Sequence, residues 1–234
     1  MTMPFRRRPI LMRRFFSFFR QVFAAPALDV RVAAAFVAAA LFSMQALSGQ
    51  SSPTKVLDAS ALKPPPGAHM AIVEFDDLEC PACAHANPVL KAAAAQYKIP
   101  WIRHDFLIPG HLWSPNAAVY ARWFDTRSKA LGDEYRDEVF ASQPYIYNPG
   151  VLQQFTQKFA QAHGVALPFA IDPEGKLAAA VQADVALGQR TGVRLTPTIY
   201  IVTASGGGSN YLQVQDVDHD LYRTIDQAMA QLRH

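Results

Sequence analysis

The chain contains only two cysteines, and they stand three positions apart in the run Cys80-Pro81-Ala82-Cys83. A disulfide between them would enclose only Pro81 and Ala82, so it removes little entropy from the unfolded chain and staples no distant segments. The pair also marks a change of pattern. Before it, Met70-Ala71-Ile72-Val73-Glu74-Phe75 is a short, mostly apolar, β-rich run with one charge, as expected of a strand buried on both faces. After it, an alanine-rich stretch continues to about Tyr97, and Pro81 suits the first position of a helix, where no intrahelical N–H bond is needed. The pattern predicts a strand, a turn and a helix, with Cys80 at the helix N-terminus and Cys83 one turn further in.

A second core strand is expected between Ile99 and Leu107, with Pro100 at its edge, which completes a β-α-β unit. From Ser114 to about Gly192 no strong strand run occurs. Alanine, leucine, glutamine and aromatic residues recur there at helical spacing, with breaks at Gly132, Pro144, Pro149, Pro168 and Pro173. This reads as a helical insertion over about residues 114–192. Pro197 to Val202 is a third strand, and Ser205-Gly206-Gly207-Gly208-Ser209 turns it into a fourth run, Tyr211 to Val214. Asp218 is expected to cap a last helix through about Leu232, with Leu221, Ile225, Met229 and Leu232 on one face. The class is α/β, with the folded domain at 68–234 and a proline-rich linker at 51–67 containing Pro64-Pro65-Pro66-Gly67.

Residues 1–31 carry seven arginines against the single acid Asp29, a net charge of +6. The whole chain is at +3, so the remainder is at −3, and the basic isoelectric point of 8.9 belongs to the head. An acidic body removes the main electrostatic support for nucleic-acid binding. After the head comes an apolar run from Val32 to Leu47, broken only by Ser43 and Gln45, and then the small polar stretch Ser48 to Ser52. Residues 1–50 therefore read as an export signal or a signal anchor. Sixteen helical residues rise only ~24 Å against a ~30 Å hydrocarbon core, which favours a cleaved signal, and Ala46-Leu47-Ser48 supplies small residues for cleavage. The arginines keep the N-terminus cytoplasmic and send the domain outside.

Three chemistries suit the cysteine pair. Metal binding needs three or four ligands, and His85 adds one, but the chain has no second cysteine pair. Covalent haem attachment needs a histidine directly after the second cysteine, where this chain has Ala84. A redox dithiol needs a thiolate, and helix N-terminal amides stabilise one, bringing thiol pKa values down to ~3.5 to 7.5.

Glu74 lies six residues before Cys80, Pro88 lies inside the following helix, and Thr196-Pro197 opens a core strand after a helical segment. With the Cys-x-x-Cys run and the long helical insertion, these features resemble the DsbA-like thiol:disulfide oxidoreductases of the thioredoxin superfamily, over about residues 68–232. The resemblance implies a thioredoxin fold with an inserted helical subdomain and a redox-active Cys80–Cys83 disulfide in place of any cofactor or metal. It implies Cys80 as the exposed nucleophile, Cys83 as the buried resolving thiol and Glu74 as a proton relay. Thr196 and a cis Pro197 then face the dithiol. The expected activity is introduction of disulfides into exported, cysteine-containing proteins, with reoxidation by a membrane partner of the DsbB or vitamin K epoxide reductase type. The rival readings are a membrane-supplied periplasmic reductase or isomerase, and a copper chaperone using Cys80, Cys83 and His85. Ala82 stands where the strongest oxidants of the family place a histidine. Asp76, Asp77 and Glu79 are expected to crowd Cys80 with like charge, which predicts a milder oxidant. His104, His111 and Trp113 follow the second strand and are candidates for the substrate groove.

Overall fold

All seven residues of β1 (Met70–Asp76) are buried, and their alternation sorts the core into two faces. Met70 and Ile72 pack with Ala86, Leu90, Leu221 and Ile225, whereas Ala71, Val73 and Phe75 pack with Phe106, Tyr200 and Val202. The period of two therefore puts Glu74 and Asp76 on the first face, the one covered by the helix that carries the cysteines. The computed structural model describes residues 56, 58, 59, 62–205 and 208–232, without the side chains of 205 and 208–210. The signal or anchor read at residues 1–50 and the centre of the glycine-rich turn lie outside the described residues. Among the described residues no helix is long and apolar enough to cross a membrane.

The remaining elements follow in order: α1 (Pro81–Tyr97), β2 (Trp101–Asp105), α2 (Ser114–Asp125), α3 (Lys129–Ser142), α4 (Pro149–Ala162), α5 (Lys176–Thr191), β3 (Thr198–Ser205), β4 (Gly208–Val214) and α6 (Leu221–Leu232). The strands form one sheet in the order β2-β1-β3-β4. β2 runs parallel to β1, while β3 and β4 are antiparallel to their neighbours. The parallel β1–β2 pair needs a crossover, and α1 supplies it. α1 begins with Pro81, continues through Pro88 and ends at Lys98 in the left-handed region, whose N–H and that of Ile99 close the last turn. α3 and α4 start at Ser128 and Asn148, whose side chains accept from Leu131 N and Val151 N.

Several expectations move. β2 is shorter than the 99–107 run, although Phe106 N still donates to Asp76 O and extends the edge by one bond. α5, read as part of the insertion, lies on the sheet: Leu187 joins Phe75 and Phe106 in the second face of the core. Helical spacing shows that a segment has an apolar side, not which surface that side covers. α2, α3 and α4 build a separate core around Phe124, Tyr135, Val139, Leu152 and Phe159. Within the segment read as a linker, Leu62 is 1% exposed and packs in the core with Val56, so ordered packing starts before Ala68. α6 starts at Leu221, and Asp218 sits in the preceding turn with its carboxylate on His85.

Candidate active site

Cys80 is the residue immediately before α1, with extended backbone angles, and its carbonyl accepts the helix's first bond from Ala84 N. Pro81 and Ala82 are exposed on top of the turn. Both thiols are free, and both are covered: Cys80 is 8% exposed and Cys83 is 0% exposed. This corrects the expectation of a freely exposed nucleophile, because the loop before β3 lies over Cys80. The Thr196–Pro197 bond in that loop is cis, and Cys80 Sγ lies 3.4 Å from Thr196 O, to which it donates when protonated. Thr198 Oγ1 donates to Leu195 O at 2.7 Å and pins the loop from its other end.

The two thiols sit in opposite environments. Hydrogen bonding from the Cys83 thiol first, then from the backbone of Cys83 and Ala82, pulls Cys80 from 9.0 down to about 5, against burial. Burial first, then the hydrogen bond to Cys80 and the charges of Asp76 and Glu74, pushes Cys83 far above the usual thiol range. At neutral pH the pair thus holds one thiolate and one thiol.

Glu74 is 1% exposed and accepts from Trp101 Nε1 at 3.0 Å. Burial and the neighbouring Asp76 charge push its carboxyl up to about 8, while Arg103 and the Trp101 bond hold it back. Asp76 is engaged by Arg103, whose Nε lies 3.2 Å from Oδ2. Arg103 also donates to Asn87 Oδ1 and stacks 4.5 Å above the Trp101 ring. Trp101 and Arg103 were not singled out from the sequence. Their signal is the alternation of β2, in which residues 101 and 103 share a face, and Arg103 pairs in register with Glu74.

The acidic residues near Cys80 act differently from expectation. Asp77 accepts from Glu79 N, Ile108 N and Ser114 Oγ, and His111 Nδ1 lies 3.0 Å from its Oδ2. Glu79 Oε2 accepts from Trp113 N at 2.7 Å and Ser114 N at 2.9 Å, at the start of α2. These carboxylates fasten the loop after β2 to the active-site turn, and Asp76 bears on Cys83 instead of Cys80. Of the three groove candidates, His104 bonds Asp184 and stacks on Phe75, and His111 turns to Asp77. Trp113, 3% exposed, borders a cavity beside Pro81. His85 is held by Asp218 at 2.9 Å, so it does not join the two cysteines in a ligand set. Among the described residues the group that gathers at metal-binding distance is a different one, Glu134, Glu138 and His163, remote in sequence from the dithiol.

A four-stranded sheet with a dithiol at a helix N-terminus under a cis-proline loop defines a thioredoxin-type fold. A family model described as Thioredoxin matches residues 65–209, more than half of the chain, and the chain belongs to that family. The fold is similar to that of oxidised BdbD from Bacillus subtilis, with a TM-score of 0.59 and 18% identity over 76% of this chain and 97% of that one. It is also similar to the thiol-disulfide exchange protein alpha-DsbA2 from Wolbachia pipientis, with a TM-score of 0.54, 16% identity and coverage of 86% and 99%. ScsC from Proteus mirabilis matches with a TM-score of 0.57, 16% identity and coverage of 86% and 92%. Among curated protein sequences none matches this chain.

Proposed function

We propose that this protein is an extracytoplasmic thiol:disulfide oxidoreductase that donates the Cys80–Cys83 disulfide to exported proteins. The observation that carries this reading is the asymmetry of the pair: Cys80 holds a thiolate near pH 5 while Cys83, one turn inward, resists ionisation. A thiol that ionises readily is the better leaving group, and a stabilised thiolate favours the reduced protein, so the disulfide is oxidising. Its value of about 5 lies between the ~3.5 of a strong oxidant and the ~7 of a reductant.

In the reaction a substrate thiolate attacks Cys80 Sγ of the oxidised protein. The Cys80–Cys83 bond breaks, Cys83 leaves as a thiolate and takes up a proton, and a mixed disulfide joins substrate to Cys80. A second substrate thiolate then attacks the substrate sulfur of that bond, and Cys80 leaves as its stabilised thiolate. Two electrons pass from the substrate dithiol to the protein, and the substrate keeps the disulfide. Glu74, whose carboxyl is protonated at neutral pH, lies on the α1-facing side of β1 and interacts electrostatically with Cys83, which suits it to supply the proton. No cofactor enters these steps. A membrane oxidase of the DsbB or vitamin K epoxide reductase type reoxidises the dithiol outside the cytoplasm, where the arginine-rich head of the sequence directs the domain.

The likeness in fold to alpha-DsbA2, a thiol-disulfide exchange protein, supports the chemistry. Mixing the oxidised full-length protein with a reduced two-cysteine peptide tests it. One peptide disulfide should form for each protein dithiol, and Cys83→Ser joined through Cys80 to a one-cysteine peptide should release that peptide only to an added thiol. A peptide that stays reduced would favour the reductase or isomerase reading.

A further inference from the structure

Beneath the buried thiol of Cys83 lie two carboxyls. Glu74 and Asp76 alternate onto the same face of β1, about 6.6 Å apart along the strand, and both are buried. The exchange steps use Glu74 and leave Asp76 idle, although the Asp76 charge bears on Cys83 more strongly than that of Glu74.

The partners of the two carboxyls differ in kind. Asp76 Oδ2 accepts from Arg103 Nε at 3.2 Å, and both side chains of that ion pair are buried. Arg103 is fixed there from its other sides. Its Nη2 donates to Asn87 Oδ1 at 3.0 Å, Asp137 Oδ1 lies 3.9 Å from Nη1, and the guanidinium stands 4.5 Å from the centroid of Trp101 and 5.5 Å from that of Phe140. Glu74 has the neutral donor Trp101 Nε1 and, among the described residues, no ion pair. One cation thus serves two buried carboxyls, and it is committed to Asp76. A carboxyl left in a dry site beside a fixed negative charge is more stable with its proton.

The other charged groups around the pair are turned elsewhere. Asp105, opposite Asp76 on β2, bonds Arg122, while Arg136 on α3 bonds Asp125 and Asp137 is shared by Asn87 and Lys91 of α1. Across the sheet Glu74 faces Ile199 of β3. From α1 the facing groups are Cys83 and Cys80, and the Cys80 thiolate adds to the negative field at Glu74.

Resting on the exchange reaction above, we infer that Asp76 is a positioning residue of that reaction: by holding Arg103 and setting a negative charge beside Glu74, it keeps on Glu74 the proton that Cys83 takes up on leaving. No bond to Asp76 forms or breaks. The proton passes from the Glu74 carboxyl to the Cys83 sulfur, Glu74 becomes an anion, and Asp76 stays one. Without the Asp76 charge, Arg103, which stands opposite Glu74 in register, becomes the cation of Glu74, and the proton goes to solvent before the step that needs it.

The test follows the side-chain carboxyls of the reduced full-length protein by NMR as pH rises, with glutamate and aspartate labelled in separate preparations. The glutamate signal with the highest midpoint should vanish in Glu74→Gln. Asp76→Asn keeps an acceptor for Arg103 Nε and should move that midpoint down by about one unit or more. Asp76→Ser, smaller and also uncharged, should do the same, so a folding failure of one variant leaves the other to decide. Peptide oxidation supplies the kinetic reading. The ratio of the Asp76→Asn rate to the unmodified rate should fall severalfold between pH 5 and about pH 8, whereas a merely structural loss is equal at every pH. An unmoved Glu74 midpoint, a flat rate ratio, or an aspartate as the highest-titrating carboxyl would overturn the inference while leaving the exchange reaction in place. If the unmodified protein oxidises no peptide at any pH, the exchange reading fails and the role of Asp76 falls with it.

Discussion

Cys80 and Cys83 differ by three positions in sequence, and the fold gives them opposite chemistry. The N-cap position before α1 turns Cys80 toward the amides and the Thr196 loop, while the first turn carries Cys83 over the face of β1 that bears Glu74 and Asp76. Glu74 provides a direct check on that buried face. Its carboxyl is raised from 4.5 to about 8, so its contribution to stability is full below about pH 4.5 and is lost as pH rises toward 8. Glu74→Gln keeps an acceptor for Trp101 Nε1 and removes the titration. The variant should therefore gain on the unmodified protein as pH rises, by roughly 2 to 3 kcal/mol near pH 7, in urea unfolding curves taken between pH 4.5 and 8. A difference that stays flat with pH would show that Glu74 is ordinary in the native state. The thiols and Glu74 were legible in the sequence because each is a chemically unusual residue at a meaningful offset. The roles of Asp77 and Glu79 were not, since nearness along the chain says nothing of where a carboxylate points. Both face amides of a loop some thirty residues away, and that pairing exists only once β2 lies beside β1.

α1 links strand to dithiol, and its N-terminus is held on one side by the cis-proline loop and on the other by Gln143, whose Nε2 donates to Leu78 O and Cys80 O. The opposite face of the sheet is closed by α5, whose closest approach is at Gly188. A Cβ there would stand 2.4 Å from Phe106 Cδ2 and 3.2 Å from Phe75 Cδ1, so the helix can seat only because that position has no side chain. Gly188→Ala should cost about 1 to 3 kcal/mol of stability with an unchanged denaturant slope, because overpacking shifts a buried aromatic pair without unfolding the rest. An unchanged midpoint would mean that α5 is not tightly seated. The strands, the dithiol helix and the hairpin were readable because period-two runs bounded by glycine and proline have few alternatives. The placement of α5 was not readable. Its apolar residues fit a helix of the insertion as well as a helix of the sheet, and the deciding contact, Gly188 against Phe106, joins residues 82 positions apart. Gln143 gave no signal either, because a lone glutamine after a helix reads as solvated surface.

At the scale of the molecule, a thioredoxin-type sheet carries the reacting pair, and the core of the helical insertion reaches down to it. Leu78, Cys80, Cys83 and Trp113 belong to the same apolar cluster as Phe124, Tyr135 and Phe159. The insertion therefore shapes the surroundings of the dithiol as well as the surface beside it. Partly buried ion pairs reinforce the join, with Arg122 on α2 bridging Asp105 of β2 and Asp184 of α5. The architecture stabilises a thiolate at Cys80 in the reduced state, which is the basis of the proposal that its disulfide is donated to substrates. The reduction potential of the Cys80–Cys83 couple, measured by equilibrium with glutathione buffers at pH 7, tests this most directly. The account predicts a value above the ~−270 mV of thioredoxin and below the ~−120 mV of the strongest oxidants, in keeping with a Cys80 pKa of about 5. A potential at or below ~−270 mV would contradict disulfide donation.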